Sequence, residues 1–377
     1  MNKNLNLYVA IILITALIFS FLTIYAFGQG EQHKLSVSAH SAAIYQPESN
    51  NFLYSKNAEV KMPMASTTKI MTALVALEKS ELTDLVVIEE NSVGIEGSSA
   101  YLRAGDKLTM EELLYALLLQ SANDAATAIA YHIGGDVSGF ASLMNDKAES
   151  LGLKNTHFTN PHGLDDDEHY TTAKELAIIA SEAMKNDIFK SIVSTYKRTF
   201  STEERSRTYV NHNKLLRMYD GCIGIKTGFT KKSGRCLVAA AERDGLTFIS
   251  VTLDAPSDWS DHKKMFDYGF ECLERITLAE PEEYCYKIPL LDAEKENIIV
   301  SNPDGESIIT SKGEHDIKKQ IRMVRYAVAP ISAGDKLGEI IFTIDGKETK
   351  RINLIANETI LKKKEKGLFD RLLSIFK

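Results

Sequence analysis

The segment Thr67–Lys79, TTKIMTALVALEK, is apolar on nearly every face. A helix formed here cannot lie on a surface and must be enclosed by other elements. With 377 residues the chain has room to wrap such a helix and to carry a second domain with appendages. Two polar groups stand at the start of the segment. Ser66 and Lys69, just after Pro63, are one helical turn apart, and residues at i and i+3 share a face. A lysine amine beside a serine hydroxyl is a nucleophile next to a base. S-x-x-K alone is a weak signal, because any helix rich in Ser and Lys produces it by chance.

Composition excludes some classes of function. A formal net charge of −7 argues against non-specific nucleic-acid binding. Cys222, Cys236, Cys272 and Cys285 form no C-x-x-C pair, and their spacing selects no disulfide, so buried free thiols are the plain reading. His157, His162, His169 and His212 contain no H-E-x-x-H, which leaves a zinc peptidase unsupported.

The two ends read as membrane-directed. After the polar start Asn2-Lys3-Asn4, the run Leu7–Phe27 carries no charge. It exceeds the core of about 7–15 residues in a signal peptide and approaches the roughly 20 that span a bilayer. Ala26-Phe27-Gly28 has the small-x-small form of a cleavage site. Residues 1–28 are therefore expected to be a signal peptide or an uncleaved anchor, with the rest of the chain exported to the outer face of the cell membrane. At the other end, Lys362-Lys363-Lys364-Glu365-Lys366 precedes Leu368, Phe369, Leu372, Leu373 and Phe376, which share one helical face. Basic flanks on an apolar face predict a helix lying in a membrane interface, assigned to residues 356–377.

Between the ends the expected fold is α+β. Residues 29–34 form a polar linker. Ser36–Ser55 alternates around a turn-rich centre and predicts a hairpin. Leu108–Ile133 predicts a helix capped by Thr109 and interrupted at Ser121-Ala122-Asn123-Asp124. Phe140–Leu151 and Thr172–Lys185 are further amphipathic helices, the second with Glu175 placed for a capping box. Ile223–Lys226, Cys236–Ala240 and Thr247–Leu253 read as strands, and His262–Glu274 as a closing helix. From residue 275 short apolar runs alternate with turns, which predicts a small all-β sandwich over 275–355, after a first domain over 29–274.

Two later motifs change the weight of Ser66 and Lys69. Ser121-Ala122-Asn123 interrupts a helical pattern, and Lys226-Thr227-Gly228 ends a strand, where the glycine lets a ligand approach the backbone. With about 50 and then about 100 residues between them, S-x-x-K, S-x-N and K-T-G stand in the order found in β-lactamases and penicillin-binding proteins. The chain most resembles a low-molecular-mass penicillin-binding protein, a serine-type D-Ala-D-Ala carboxypeptidase of peptidase family S11. The stretches PMASTTKIMTA around Ser66 and GLKNTHFTNPHGLD over Gly152–Asp165 carry the likeness, as does the order of export segment, catalytic domain, β domain and terminal helix.

The resemblance implies a β-lactamase-like catalytic domain, with an antiparallel sheet, helices on both sides and a helical subdomain. It implies Ser66 as nucleophile, Lys69 as its base, and Ser121 as proton relay to the leaving amine. Asn123, Lys226, Thr227 and Gly228 would bind substrate, and the backbone N–H groups of Ser66 and Phe229 would form the oxyanion hole. The partners implied are peptidoglycan stem peptides and β-lactam antibiotics. No cofactor or metal is implied.

Two departures matter. Ala122 stands where class A β-lactamases carry Asp, which favours the carboxypeptidase. The loop Asp254–His262 lacks the arginine that holds the substrate carboxylate in many relatives, so Thr227, Thr230 or Arg235 would have to serve. His162-Gly163-Leu164 reads as a loop bordering the site. Trp259, the single tryptophan, reads as packing before it reads as rim of the site. The competing functions are a β-lactamase, which would need Asp165, Asp166, Asp167 or Glu168 to activate a deacylating water, and a non-catalytic cell-wall-binding protein of the same fold.

Overall fold

A computed structural model describes residues 35–201 and 206–364. The apolar run before residue 28 and the basic amphipathic segment after residue 364 lie outside the described residues.

The central sheet grows from the predicted hairpin. Strands β1 (Ser41–Gln46) and β2 (Asn51–Lys56) pair antiparallel. Three later strands, β3 (Cys222–Thr230), β4 (Gly234–Arg243) and β5 (Leu246–Leu253), complete an antiparallel sheet in the order β2-β1-β5-β4-β3. Side chains alternate between its faces with period two. Ala43, Tyr45, Val238, Ile249 and Val251 enter one core, whereas Ala42, Ile44, Leu237, Ala239 and Phe248 enter the other. Both faces are covered, so both are apolar.

Helix α1 (Lys69–Lys79) is buried from Lys69 through Ala76, as its all-round apolarity requires. It follows a 3-10 turn over Ala65–Thr68 that carries Ser66. Helices α2 (Met110–Leu119), α3 (Asn123–Gly134), α4 (Val137–Ser150), α5 (Ala173–Met184) and α6 (Asp187–Ser194) pack against it. Full burial of each Ile, Leu or Met in this cluster contributes about 1.5–3 kcal/mol. Thr109 caps α2 by accepting from the Glu112 N–H, and Thr172 caps α5 by accepting from the Glu175 N–H. Glu175 does not return a bond to Thr172. Its carboxylate accepts instead from the Lys154 and Asn155 N–H groups and the Thr156 hydroxyl, which ties α5 to the loop after α4.

Helix α7 (Asp258–Cys272) covers the opposite sheet face through Met265 and Phe266. The chain then enters the β-rich region. A two-stranded ribbon of Leu273–Ala279 with Glu306–Ser311 faces a six-stranded sheet, and Leu278, Ile288, Val300, Ile340, Phe342 and Leu354 share one core. The sheet continues past residue 355: its long strand Lys347–Ala356 is followed by Ile360, buried and bridged to Ile331. Residues 356–362 therefore belong to the β domain and not to the terminal helix. All four cysteines are free, and of these only Cys236 is fully buried. Among the described residues no helix is long and apolar enough to cross a membrane.

Candidate active site

The helical break at Ser121-Ala122-Asn123 brings the three motifs together. Chain reversal between α2 and α3 puts Ser121 at φ +61° and starts α3 at Asn123. A cleft of about 300 Å³ opens there, lined by Ser66, Ser121, Thr227, Gly228 and Phe229. It lies along β3, whose one edge pairs with β4 and whose other edge faces the 3-10 turn of Ser66.

Lys69 is fully buried at the base of this cleft. Its Nζ lies 3.0 Å from Ser66 Oγ, 2.7 Å from Asn123 Oδ1 and 2.5 Å from the His162 carbonyl oxygen. Burial, and then the nearby Lys226 cation, holds the amine well below the ordinary lysine range, with Asp124 pulling weakly the other way. A neutral amine has two N–H donors and one lone pair. Donation to Asn123 and His162 aims the lone pair at the Ser66 hydroxyl, which is the geometry of a base on a nucleophile.

Asn123 is fixed at both ends. Besides Lys69, its Nδ2 donates to the Glu96 carbonyl at 2.5 Å, and its backbone N–H donates to the Ser98 carbonyl at 2.7 Å. The neighbouring Asp124 accepts from the Ser99 hydroxyl and from the Ala100 and Leu102 N–H groups, pinning the segment that carries Ser98. Asn123 is thus a buried support for Lys69.

Lys226 is also buried, and burial pushes its amine down to about 7. Its Nζ donates to the Thr227 carbonyl at 2.8 Å. The glycine of K-T-G is required by space. A Cβ on Gly228 would stand 3.1 Å from the Ala65 Cβ and 3.1 Å from the Thr67 nitrogen.

The loop Asn160–Leu164 closes the back of the site. Gly163, at φ +86°, presses against the turn so closely that a Cβ would meet the Ala65 carbonyl oxygen at 2.0 Å. His162 and His169 are held neutral by burial, at about 3 and about 4. Both work as hydrogen-bonding spacers: His162 Nδ1 accepts from the Leu164 N–H, and His169 Nδ1 accepts from the Thr159 N–H while its Nε2 donates to Thr68 Oγ1. What the residue pattern missed is the His162 carbonyl itself, a backbone group with no side-chain signal.

The three candidates for carboxylate binding separate. Thr227 lines the cleft. Thr230 donates to Asp165 at 2.8 Å, and Lys232 pairs with Asp167, so these two acids are tied to the turn after β3. Arg235 sits opposite Phe229 in the β3–β4 register and lines the far end of the cleft with Trp259 and Asp258. Its Nε and Nη2 bond Asp258 at 3.0 and 3.1 Å, and the guanidinium lies 5.8 Å from the Trp259 ring. Trp259 is rim as well as packing.

The sheet flanked by helices, the cleft at its edge and the appended β domain define the architecture of a penicillin-interacting serine peptidase. The sequence pattern of the D-alanyl-D-alanine carboxypeptidases, peptidase S11, matches residues 28–257, and that of the penicillin-binding protein 5 C-terminal domain matches residues 274–362. The chain belongs to the D-alanyl-D-alanine carboxypeptidase family. It is similar to the D-alanyl-D-alanine carboxypeptidase DacF of Bacillus subtilis, with 32% identity over 352 residues, 89% of this chain and 90% of that protein. Among solved structures, penicillin-binding protein 5 from Haemophilus influenzae superposes with a TM-score of 0.63 at 27% identity, covering 87% of this chain and 98% of that one. The Streptomyces K15 DD-transpeptidase superposes with a TM-score of 0.60 at 38% identity over 62% of this chain and 98% of that one.

Proposed function

We propose that this protein is a serine D-Ala-D-Ala carboxypeptidase that trims the terminal D-alanine from peptidoglycan stem peptides and is acylated by penicillins. The observation that carries this reading is the buried Lys69 amine 3.0 Å from Ser66 Oγ, at the edge of the strand that bears Lys226-Thr227-Gly228.

In this mechanism the substrate lies along the open edge of β3, as an added strand would. Lys69 takes the Ser66 proton, and Ser66 Oγ bonds the carbonyl carbon between the two D-alanines. The oxyanion is held by the Ser66 and Phe229 N–H groups, each such donor being worth roughly 3 kcal/mol. Lys69 returns that proton by way of the Ser121 hydroxyl to the leaving amine, the C–N bond breaks, and D-alanine departs with its carboxylate near Thr227 and Lys226. Lys69, neutral again, takes a proton from the water that attacks the ester and gives it to Ser66 Oγ as the ester C–O bond breaks, which restores Ser66 and frees the shortened peptide acid. Asn123 keeps Lys69 aimed. Export through residues 1–28 and attachment by the basic C-terminal segment would put this chemistry at the outer membrane face, where the wall lies; the uncharged run and the lysine-flanked apolar face support that placement.

The purified protein should release D-alanine from a peptide ending in Lys-D-Ala-D-Ala and take a stable covalent label from a fluorescent penicillin. Ser66→Ala should lose both. Labelling of the Ser66→Ala protein would overturn the assignment of the nucleophile, and rapid release of the penicilloyl group would favour the β-lactamase.

A further inference from the structure

Tyr101 and Phe229 are the two most exposed large apolar side chains among the described residues, at 84% and 65%. Both stand close to the cleft. Phe229 lines it from β3, beside Thr227 and Gly228. Tyr101 belongs to the segment that reaches the cleft at Ser98, on the helical side with Ser121. That segment is tied to the start of α3, because the Ser98 carbonyl accepts from the Asn123 N–H at 2.7 Å.

A single exposed aromatic is ordinary on a protein surface. What sets Tyr101 apart is its backbone, at φ +55°. Bulky side chains rarely adopt this left-handed conformation, whereas glycine takes it without strain. The neighbours on both sides impose it. Asp124 accepts from the Ala100 and Leu102 N–H groups, each at 3.0 Å, and from the Ser99 hydroxyl at 2.6 Å. The Tyr101 N–H itself donates to Ser99 Oγ at 2.8 Å. Leu102 is then buried in the main core. Asp124 thus grips the residues before and after Tyr101, and the ring is turned outward. Among the described residues that ring meets no other ring and no cation. A strained backbone that holds an aromatic ring away from its own protein is a contact surface for something that arrives.

We propose that Tyr101 is a specificity-determining residue whose ring packs on the aliphatic arm of the diamino acid that precedes D-Ala-D-Ala in the stem peptide. The inference rests on the Ser66 reading above and names what the acyl half of the substrate touches. A chain lying along β3 has that strand on one side and the Ser98–Tyr101 segment on the other. Its two alanines carry only methyl groups. The diamino acid carries the one long run of methylenes, and a tyrosine ring covers such a run at low entropic cost, having only two side-chain torsions. Asp124 is also next to Asn123, which bonds Lys69, so the ring and the base are carried by one rigid unit. The reaction itself is unchanged. The contact selects which acyl chains are held while Ser66 attacks.

The test uses the full-length protein and two peptides, diacetyl-Lys-D-Ala-D-Ala and acetyl-Ala-D-Ala-D-Ala. Burial of about two methylenes corresponds to about a tenfold change in binding. Tyr101→Gly should therefore raise KM for the lysyl peptide about tenfold, with kcat and the KM of the alanyl peptide within about twofold of wild type. Tyr101→Phe, which keeps the ring, should retain the wild-type KM. Glycine relaxes the φ +55° backbone, so the thermal midpoint of Tyr101→Gly should equal or exceed that of the wild type. An equal change on both peptides, no change on the lysyl peptide, or a lowered thermal midpoint overturns the assignment of Tyr101 while the carboxypeptidase reading stands. Absence of D-alanine release from both peptides by the wild type sinks both.

Discussion

A Cβ placed on Gly228 would stand 2.9 Å from the backbone nitrogen of Ser66. The strand that bears K-T-G and the turn that bears the nucleophile thus touch backbone to backbone, at the point where an oxyanion would be received. Gly228→Ala must push the two apart. Acylation by penicillin should fall about 10²-fold, the scale of one lost oxyanion donor, and the thermal midpoint should fall with it, because the clash is with backbone. Stopped-flow labelling beside calorimetry checks this; an unchanged acylation rate would remove Ser66 N–H from the proposed oxyanion hole.

The pH dependence of kcat/KM should be bell-shaped. Its rising limb follows loss of the Lys69 proton, and its falling limb, near pH 7, follows loss of charge on Lys226. A cation beside Lys69 disfavours its protonated form, so Lys226→Gln should move the rising limb to higher pH. Lys226→Arg keeps the charge at all accessible pH and should abolish the falling limb. A profile in which both variants match wild type would show that Lys226 titrates outside this range.

Asp124 acts on Lys69 with the opposite sign, since its charge favours the ammonium. Asp124→Asn should move the rising limb to lower pH. It should also weaken the bonds to Ser99, Ala100 and Leu102, costing on the order of 1–3 kcal/mol of stability in urea titrations. A limb that moves the same way as in Lys226→Gln would contradict the electrostatic account.

Lys226 also links stability to pH. Its folded amine sits at about 7, against an ordinary 10.5 in the unfolded chain. The folded state therefore pays a penalty that is full below about pH 7 and fades as pH rises toward 10.5. Lys226→Met should raise the thermal midpoint by several degrees at about pH 6–7, with the gain shrinking by about pH 9–10. A gain that is constant with pH would point to packing instead of desolvation.

Gly163→Ala tests the back of the site. The added methyl meets the Ala65 carbonyl oxygen at 2.0 Å, and φ +86° strains any side chain there. A loss of about 3 kcal/mol or more is expected, together with slower acylation as Ser66 shifts. Gly152→Ala, also at positive φ but with nothing within 4 Å, should cost less and leave acylation intact.

Local physics made much of this fold readable. The all-round apolar run of α1 demanded enclosure, the caps at Thr109 and Thr172 marked true helix starts, and alternation marked β1 and β2. The i, i+3 spacing of Ser66 and Lys69 anticipated their contact, although the turn there is 3-10 and not α. Other features depend on distant partners. Glu175 satisfies every requirement of a capping box, yet residues 154–156 outcompete the Thr172 N–H for its carboxylate. The pairing of Arg235 with Asp258, and the approach of the Arg235 guanidinium to the Trp259 ring, joins a strand to a helix start with no periodic signature. The polar ribbon Lys197–Ser201 with Ser206–Val210 is too short and too exposed to show a clear period.

The three groups around the Lys69 amine come from residues 66, 123 and 162, which only the finished tertiary structure gathers. In an unfolded or half-folded chain the same amine is an ordinary ammonium near pH 7 and Ser66 an ordinary alcohol. Reactivity toward penicillin is therefore a chemical counter of correctly packed molecules, and a titration with labelled penicillin would measure the native fraction of a sample without any spectroscopic probe.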